Sequence, residues 1–279
     1  MVALIKSDSL NISLEYKKAE NEFIALLNCD DLDAKILADP DIVGNFNENI
    51  RSALRKSLDD DDESASLFVQ RCLYKINRLK FFWDDDLKNY SNENSRFLFD
   101  IHSDIESKWS AWEEKQIVID RPTDVARALC ERAQEDLEPE LSDDGRYIRD
   151  YVSDTGYRRL LAIASLDGLV EASQLSRVLG GASSEVQVML TRILWEEYGS
   201  GKLERKHSTY FAAMLDGMGL DSRPEAYFDL VPWEVLANIN HSFMVSEQKR
   251  KYLRYIGGLL YIEVSVPASF TNIKLAGER

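Results

Sequence analysis

The chain has 279 residues, of which 44% are hydrophobic, and a formal net charge of −15 at pH 7. This length accommodates one large domain or two modest ones, and the hydrophobic fraction suffices for a buried core. An acidic surface repels the phosphates of nucleic acids and of anionic lipids. We therefore expect neither a nucleic-acid partner nor a membrane partner.

The three cysteines, Cys29, Cys72 and Cys130, lie far apart and form no CxxC pair. Their odd number and spacing predict a reducing compartment, not a disulfide framework or a thiolate zinc site. No apolar run reaches the roughly 18 to 20 residues that span a bilayer. The N-terminus lacks the basic segment and apolar core of a secretion signal. The sequence therefore predicts a soluble, cytoplasmic protein.

Apolar residues recur at spacings of three and four along most of the chain, which predicts amphipathic helices and an all-α fold. The paired glycines at 180–181, the Gly-Ser-Gly of 199–201 and Pro267 are each expected to end a helix. In chain order, helical patterns cover residues 64–83, 95–115, 122–141, 154–181, 183–201, 204–220, 232–247 and 249–267.

The acidic run at residues 59–63 predicts a solvated loop, because it lacks the alternating ligands and the glycine of a calcium loop. Composition changes near residues 117–124. The part before this point is charged and aromatic-rich, and the part after it carries more small residues and the candidate ligands. We therefore expect an N-terminal helical domain of residues 1–120 and a second domain of residues 121–279.

Three glutamates, Glu171, Glu197 and Glu263, fall inside apolar helical stretches. An ionised carboxylate buried in such surroundings is costly unless it is paired or bound to metal. Together with His207 they form the donor set of a carboxylate-bridged metal centre in a helical bundle, suited to iron or manganese. The alternative is that each carboxylate is an exposed charge or lies at a helix end.

Glu204 offers a competing partner for His207. The two residues form an ExxH pair like that of ferritin-type di-iron sites. On one straight helix, ten residues at about 100° each would leave Glu197 and His207 on different faces. A pairing of those two residues therefore requires a turn at Gly-Ser-Gly. The spacing alone does not decide whether Glu197 or Glu204 is the partner of His207.

The remaining histidines, His102 and His241, lie in polar surroundings. We interpret His102 as structural and His241 as part of a polar helix face or a pocket lining. Gly257 and Gly258, one turn before Glu263, either leave room beside a metal centre or allow close helix packing.

Three stretches, residues 158–181, 193–221 and 255–267, resemble the heme-oxygenase-like di-iron oxidases and oxygenases, a family of iron-containing redox enzymes. In that family, a glutamate in the first core helix precedes a second glutamate just before Tyr-Gly. A histidine follows ten residues later, and a third glutamate lies in a later apolar helix. Here Glu171, Glu197, His207 and Glu263 follow in that order, at intervals of 26, 10 and 56 residues.

The resemblance implies a heme-oxygenase-like helical bundle in which these four residues are metal ligands, and it favours Glu197 over Glu204. It implies a non-heme iron-dependent oxidoreductase with two Fe(2+) per chain and O2 as co-substrate. Family members oxidise small amines, amino-acid-like compounds or fatty acids. We expect N-oxygenation or oxidative C–C cleavage of a small amine or amino-acid-like metabolite in natural-product biosynthesis.

The family completes its site with a last core helix that carries histidine, aspartate and histidine. No Asp or His follows Glu263 here, so we expect the natural protein to continue past Arg279. The resemblance also assigns residues 1–120 to a helical extension that forms a homodimer. Two alternatives stay open: a metal-free helical scaffold or interaction protein that retains the bundle, and a ferritin-like protein, which would need a second ExxH pair.

Overall fold

The computed structural model describes residues 10, 12–80, 91–118, 121–170, 172–180 and 184–279. In these ranges the chain forms helices joined by turns, and no strand occurs in them. The prediction of an all-α fold is therefore confirmed. None of the helices found there combines the length and the apolar character needed to cross a lipid bilayer.

The helices fall into two compact units. The N-terminal unit consists of Leu10–Val118 and Val231–Met244, and the second unit consists of residues 121–230 and 245–279. In chain order the α-helices are α1 (Leu14–Leu27), α2 (Leu32–Ala38), α3 (Gly44–Asp59), α4 (Glu63–Arg78), α5 (Arg96–Gln116), α6 (Val125–Leu137), α7 (Asp143–Asp150), α8 (Asp154–Gly168), α9 (Ser173–Arg177), α10 (Glu185–Glu197), α11 (His207–Gly217), α12 (Trp233–Glu247) and α13 (Tyr252–Gly277).

Helix α4 forms the centre of the N-terminal unit, where α1, α3 and α5 pack against it. Most of its residues are buried, which is the pattern of a helix surrounded by its neighbours. The loop predicted for the acidic run is shorter than expected, because Asp59 ends α3, Glu63 begins α4 and only residues 60–62 lie between them. Its last aspartate, Asp62, caps α4 by accepting a hydrogen bond from the Ala65 amide at 2.8 Å.

A buried polar network connects α4, α5 and α12 within this unit. Nε2 of His102 lies 2.8 Å from Oδ1 of Asn77, and 3.3 Å from the carboxylate of Glu106. The Asn77 amide donates to Asn240 at 3.0 Å, and the Asn240 amide donates to Gln70 at 2.8 Å. Pairing of this kind is what makes buried polar groups tolerable. The structural interpretation of His102 is confirmed.

Asn92 fixes the turn between α1 and α2, and it is buried. Its Oδ1 accepts a hydrogen bond from the Leu32 amide at 2.9 Å, and its Nδ2 donates to the carbonyls of Leu27 (2.9 Å) and Cys29 (2.6 Å). The side chain therefore pairs with three backbone groups of this turn.

We expect Asn92→Ala to lower the free energy of unfolding by about 2 kcal/mol, because it leaves a buried amide without an acceptor. Urea denaturation followed by circular dichroism measures this change. The exposed Asn94 offers a matched control, and Asn94→Ala should change stability by less than about 0.5 kcal/mol. Equal midpoints for the two variants would contradict the role of Asn92.

In the second unit, α13 lies along α6 and α7, and α8 packs against α11. The predicted pattern at residues 154–181 is not one helix, because α8 ends at Gly168 and α9 begins at Ser173. Ala172, between them, has a φ of 65°. This left-handed conformation is incompatible with a continuous α-helix. The helix is therefore interrupted here, although the helical spacing of apolar residues continues.

Pro267 does not end the last helix, contrary to prediction, since α13 continues through it to Gly277. An interior proline removes one helical hydrogen bond and costs about 3 kcal/mol. Tertiary packing offsets that cost, because Ala276 is buried in the core formed with Tyr157 and Leu161. The guanidinium of Arg279 also donates to the backbone carbonyls of Asp150, at the end of α7, and of Val152, at 2.6 Å each.

Candidate metal centre

A tight left-handed turn separates α10 from α11. Gly199, Ser200 and Gly201 have φ values of 65°, 54° and 78°, a conformation that glycine adopts without strain. A Cβ on Gly199 would lie 2.6 Å from the backbone C of Arg205 and 2.6 Å from the backbone N of Lys206. The chain therefore folds back on itself immediately before His207, and residue 199 has no space for a side chain.

This turn brings Glu197 and His207 together. Nδ1 of His207 lies 2.7 Å from Oε2 of Glu197. The Glu197 side chain is only 18% exposed. Its Oε2 is buried and makes no well-oriented hydrogen bond to any group in the part of the chain that the structure describes. The turn predicted from Gly-Ser-Gly is thus present and has the predicted consequence for these two side chains.

Glu204 has a different position. It lies in a short 3-10 turn, Leu203–Arg205, and α11 begins only at His207. The alternative prediction, an ExxH pair on one helix, is therefore wrong. The 3-10 turn interrupts the regular helical spacing on which that motif depends.

Glu263 contributes its charge to the same region. Burial raises the pKa of Glu197, the neighbouring His207 partly opposes that rise, and the negative charge of Glu263 adds to it. Burial also raises the pKa of the Tyr255 phenol, and Glu263 adds to that rise as well. The sequence analysis did not place Tyr255 in this region. Its only signal in the sequence is its position two helical turns before Glu263.

The expectation that Glu263 is buried is wrong, because the structure leaves it exposed. Its neighbours Tyr261 and Ile262 are exposed as well. The helix is apolar around Glu263, but in the described ranges no element covers that part of α13. In the part of the chain that the structure describes, no heavy atom of another element lies within 4 Å of the position that a Cβ would take on Gly257 or Gly258, so no close helix packing there requires a glycine.

The fourth predicted ligand, Glu171, lies outside the described residues. Within those residues, no three His, Cys, Asp or Glu side chains form a group that could hold a metal ion. The donor chemistry at Glu197 and His207 nevertheless fits such an ion. A buried carboxylate oxygen without a well-oriented donor faces an imidazole nitrogen, and this oxygen–nitrogen pair suits iron or manganese.

The other two histidines belong to the N-terminal unit. His102 is part of the network described above, and Nδ1 of His241 lies 3.0 Å from Oε2 of Glu113. His241 also lines a small cavity within that unit, in agreement with its interpretation as a pocket residue.

We expect Gly199→Ala to destabilise the protein by about 2 kcal/mol, since the new methyl group combines a left-handed backbone with a clash. The variant should also bind Fe(2+) more weakly, because relief of the clash moves the segment that positions His207. Urea denaturation and calorimetric titration measure the two effects. Gly217→Ala is the matched control, because a Cβ there would meet no atom of another element within 4 Å among the described residues. An unchanged iron affinity in Gly199→Ala would contradict the prediction.

Glu197 and His207 thus bring a carboxylate and an imidazole together in a helical unit, and side chains of these two kinds form the metal centres of some helical bundles. Residues 158–276 match the model of the family described as iron-containing redox enzymes. This match confirms the resemblance over that segment and supports an oxidoreductase. All four predicted ligands lie inside the matched segment.

A curated relative, the nitrosourea synthase of Streptomyces achromogenes subsp. streptozoticus, is 31% identical over 100 residues. That similarity covers 36% of this chain and 21% of the relative. The chain therefore matches only about a fifth of the length of that enzyme.

Proposed function

We propose that this protein is a non-heme iron-dependent oxidoreductase that uses O2 to oxidise a small amine or amino-acid-like metabolite. The observation that carries the proposal is the 2.7 Å approach of Glu197 and His207 across a glycine turn, inside the segment that matches an iron-containing redox family. The nitrosourea synthase relative supports a nitrogen-containing substrate, and with it N-oxygenation ahead of oxidative C–C cleavage, in natural-product biosynthesis.

Four side chains would hold iron in this proposal. Glu171, Glu197 and Glu263 would supply carboxylate oxygens to the Fe(2+) ions, and His207 would supply an imidazole nitrogen. Bound iron supplies the electrons that activate O2. Two iron ions need more donor atoms than these four side chains provide, so further ligands would complete the site.

The residues of this chain prepare the site in two ways. The glycine turn fixes Glu197 at the end of α10 against the first residue of α11, which limits the entropy lost when a cation binds. Burial and the charge of Glu263 together raise the pKa of Glu197. Since a divalent cation relieves both the repulsion and the desolvation of an ionised carboxylate, these features favour metal binding.

Anaerobic titration of the full chain with ferrous iron tests the proposal. We expect about two ions per chain by elemental analysis after buffer exchange, in line with di-iron carboxylate bundles. We also expect O2 uptake on exposure to air when an amine substrate is present. Failure to retain iron would contradict the proposal.

A metal-free scaffold is the second candidate. It is favoured by the observation that no three potential ligands converge within the described ranges. The titration separates the two functions, because a scaffold retains no iron and its stability does not change when ferrous iron is added.

A further inference from the structure

A small cavity in the N-terminal unit lies where α4, α5 and α12 meet. Its volume is about 10 Å³, and the polar side chains that line it are Gln70, Glu106, Glu113, Asn240 and His241. A buried water molecule needs about 10–15 Å³. The cavity is therefore far too small for an organic ligand and is of the size that one water molecule occupies.

One backbone carbonyl fixes the orientation of the amide side chains beside this cavity. Nδ2 of Asn240 donates to the carbonyl of Gln70 at 3.0 Å, and a carbonyl can only accept. Oδ1 of Asn240 is therefore the atom that accepts from the Asn77 amide. Since Nδ2 of Asn240 also donates to Oε1 of Gln70, the Gln70 side chain presents its oxygen to Asn240 and keeps its nitrogen as a donor for another partner.

That donor, Nε2 of Gln70, is buried without an acceptor. The residue is 0% exposed, and its Nε2 makes no hydrogen bond to any of the residues whose positions are described. A buried N–H group without an acceptor carries the full cost of its desolvation, and such groups are rare in native proteins. An acceptor small enough for the cavity would remove this cost.

Two carboxylates of α5 line the same cavity. The carboxylate of Glu106 lies 3.3 Å from Nε2 of His102, and Glu106 is 6% exposed. The carboxylate of Glu113 accepts from the Trp109 indole at 3.1 Å and lies 3.0 Å from Nδ1 of His241. Since a carboxylate offers about four acceptor sites, each of the two can accept from a molecule in the cavity as well as from its neighbours.

We propose that one water molecule binds in this cavity, accepts a hydrogen bond from Nε2 of Gln70 and donates to the carboxylates of Glu106 and Glu113. Three hydrogen bonds are typical of a buried water. The two carboxylates disfavour an anion, and the Gln70 N–H group disfavours a cation. A metal ion is also disfavoured, because the described residues contain no group of three His, Cys, Asp or Glu side chains that could hold one.

The bound water closes a ring of hydrogen bonds across three helices. In order, the ring contains His102, Asn77, Asn240, Gln70, the water and Glu106, and the 3.3 Å approach of Glu106 to His102 completes it. Hydrogen bonds in such a network strengthen one another where the local dielectric is low. The water therefore helps to hold α12 against α4 and α5.

A high-resolution crystal structure of the full chain tests the proposal directly. We expect one density peak in the cavity, about 2.5–3.2 Å from Nε2 of Gln70 and from an oxygen of each carboxylate. An empty cavity would overturn the proposal. Crystals grown with Rb⁺ in place of Na⁺ identify the occupant, because anomalous scattering at the peak would reveal a monovalent cation and would also overturn the proposal.

Gln70→Met tests the part played by the Gln70 amide. Methionine has a similar length and keeps the backbone carbonyl to which Asn240 donates, but it cannot donate to a water molecule. The density peak should lose most of its occupancy, and the urea midpoint should fall. Gln116→Met is the matched control, because Gln116 is exposed at the end of α5 and its loss should leave both unchanged. A peak of full occupancy in Gln70→Met, or an equal fall of the midpoint in Gln116→Met, would overturn the assignment.

Discussion

Replacing His207 with alanine is expected to weaken Fe(2+) binding by more than about 100-fold, because the loss of a direct ligand exceeds the 10- to 100-fold effects of outer-shell partners. Glu197→Ala should have a similar effect, since Glu197 and His207 face each other at 2.7 Å. Glu204→Ala should leave the affinity within about twofold, because Glu204 lies in a separate 3-10 turn. Anaerobic competition with a chromophoric chelator measures all three affinities.

The three variants also act as controls for one another. Glu197 and Glu204 are the same residue type at either end of the glycine turn, so a general effect of charge would appear in both. Far-ultraviolet circular dichroism should show unchanged helix content in each variant. If Glu204→Ala weakens iron binding most, the assignment of Glu197 as a ligand is wrong.

Replacing Phe68 with alanine is expected to lower the free energy of unfolding by about 3–5 kcal/mol, as for other fully buried aromatic residues. Phe68 is fully buried. Its ring stacks on Tyr16 with centroids 5.2 Å apart and meets the edge of Phe46 at 6.4 Å. The substitution therefore removes the burial of a ring and also two aromatic contacts.

Urea denaturation monitored by circular dichroism measures this loss. Phe99→Ala is the matched control, since Phe99 is 58% exposed on α5. It should cost less than about 1 kcal/mol. Equal losses in the two variants would show that Phe68 does not hold the centre of the N-terminal unit.

Much of the fold could be predicted because apolar spacing reports amphipathic helices directly. The helix ends were less predictable. Pro267 lies within α13 because packing near Ala276 offsets its local cost, and the left-handed Ala172 divides a pattern that reads as one helix. Both outcomes depend on tertiary contacts or on backbone conformation, and the spacing of apolar residues reports neither.

The pairing of Glu197 with His207 was predictable for a different reason. A glycine-rich break of known length between two helices constrains geometry locally, so sequence spacing translates into proximity. The exposure of Glu263 was not predictable in the same way, because an apolar helix becomes buried only where another element covers it.

The division of α12 between the two units has a consequence for protein engineering. Residues up to Met244 complete the N-terminal unit, where Leu236, Ile239 and Phe243 are buried. A truncation that removes everything before residue 119 would retain this helix and discard the helices that cover it. Such a fragment would expose a row of large apolar side chains and tend to aggregate. Gene fusions and domain exchanges should therefore transfer residues 10–118 and α12 together.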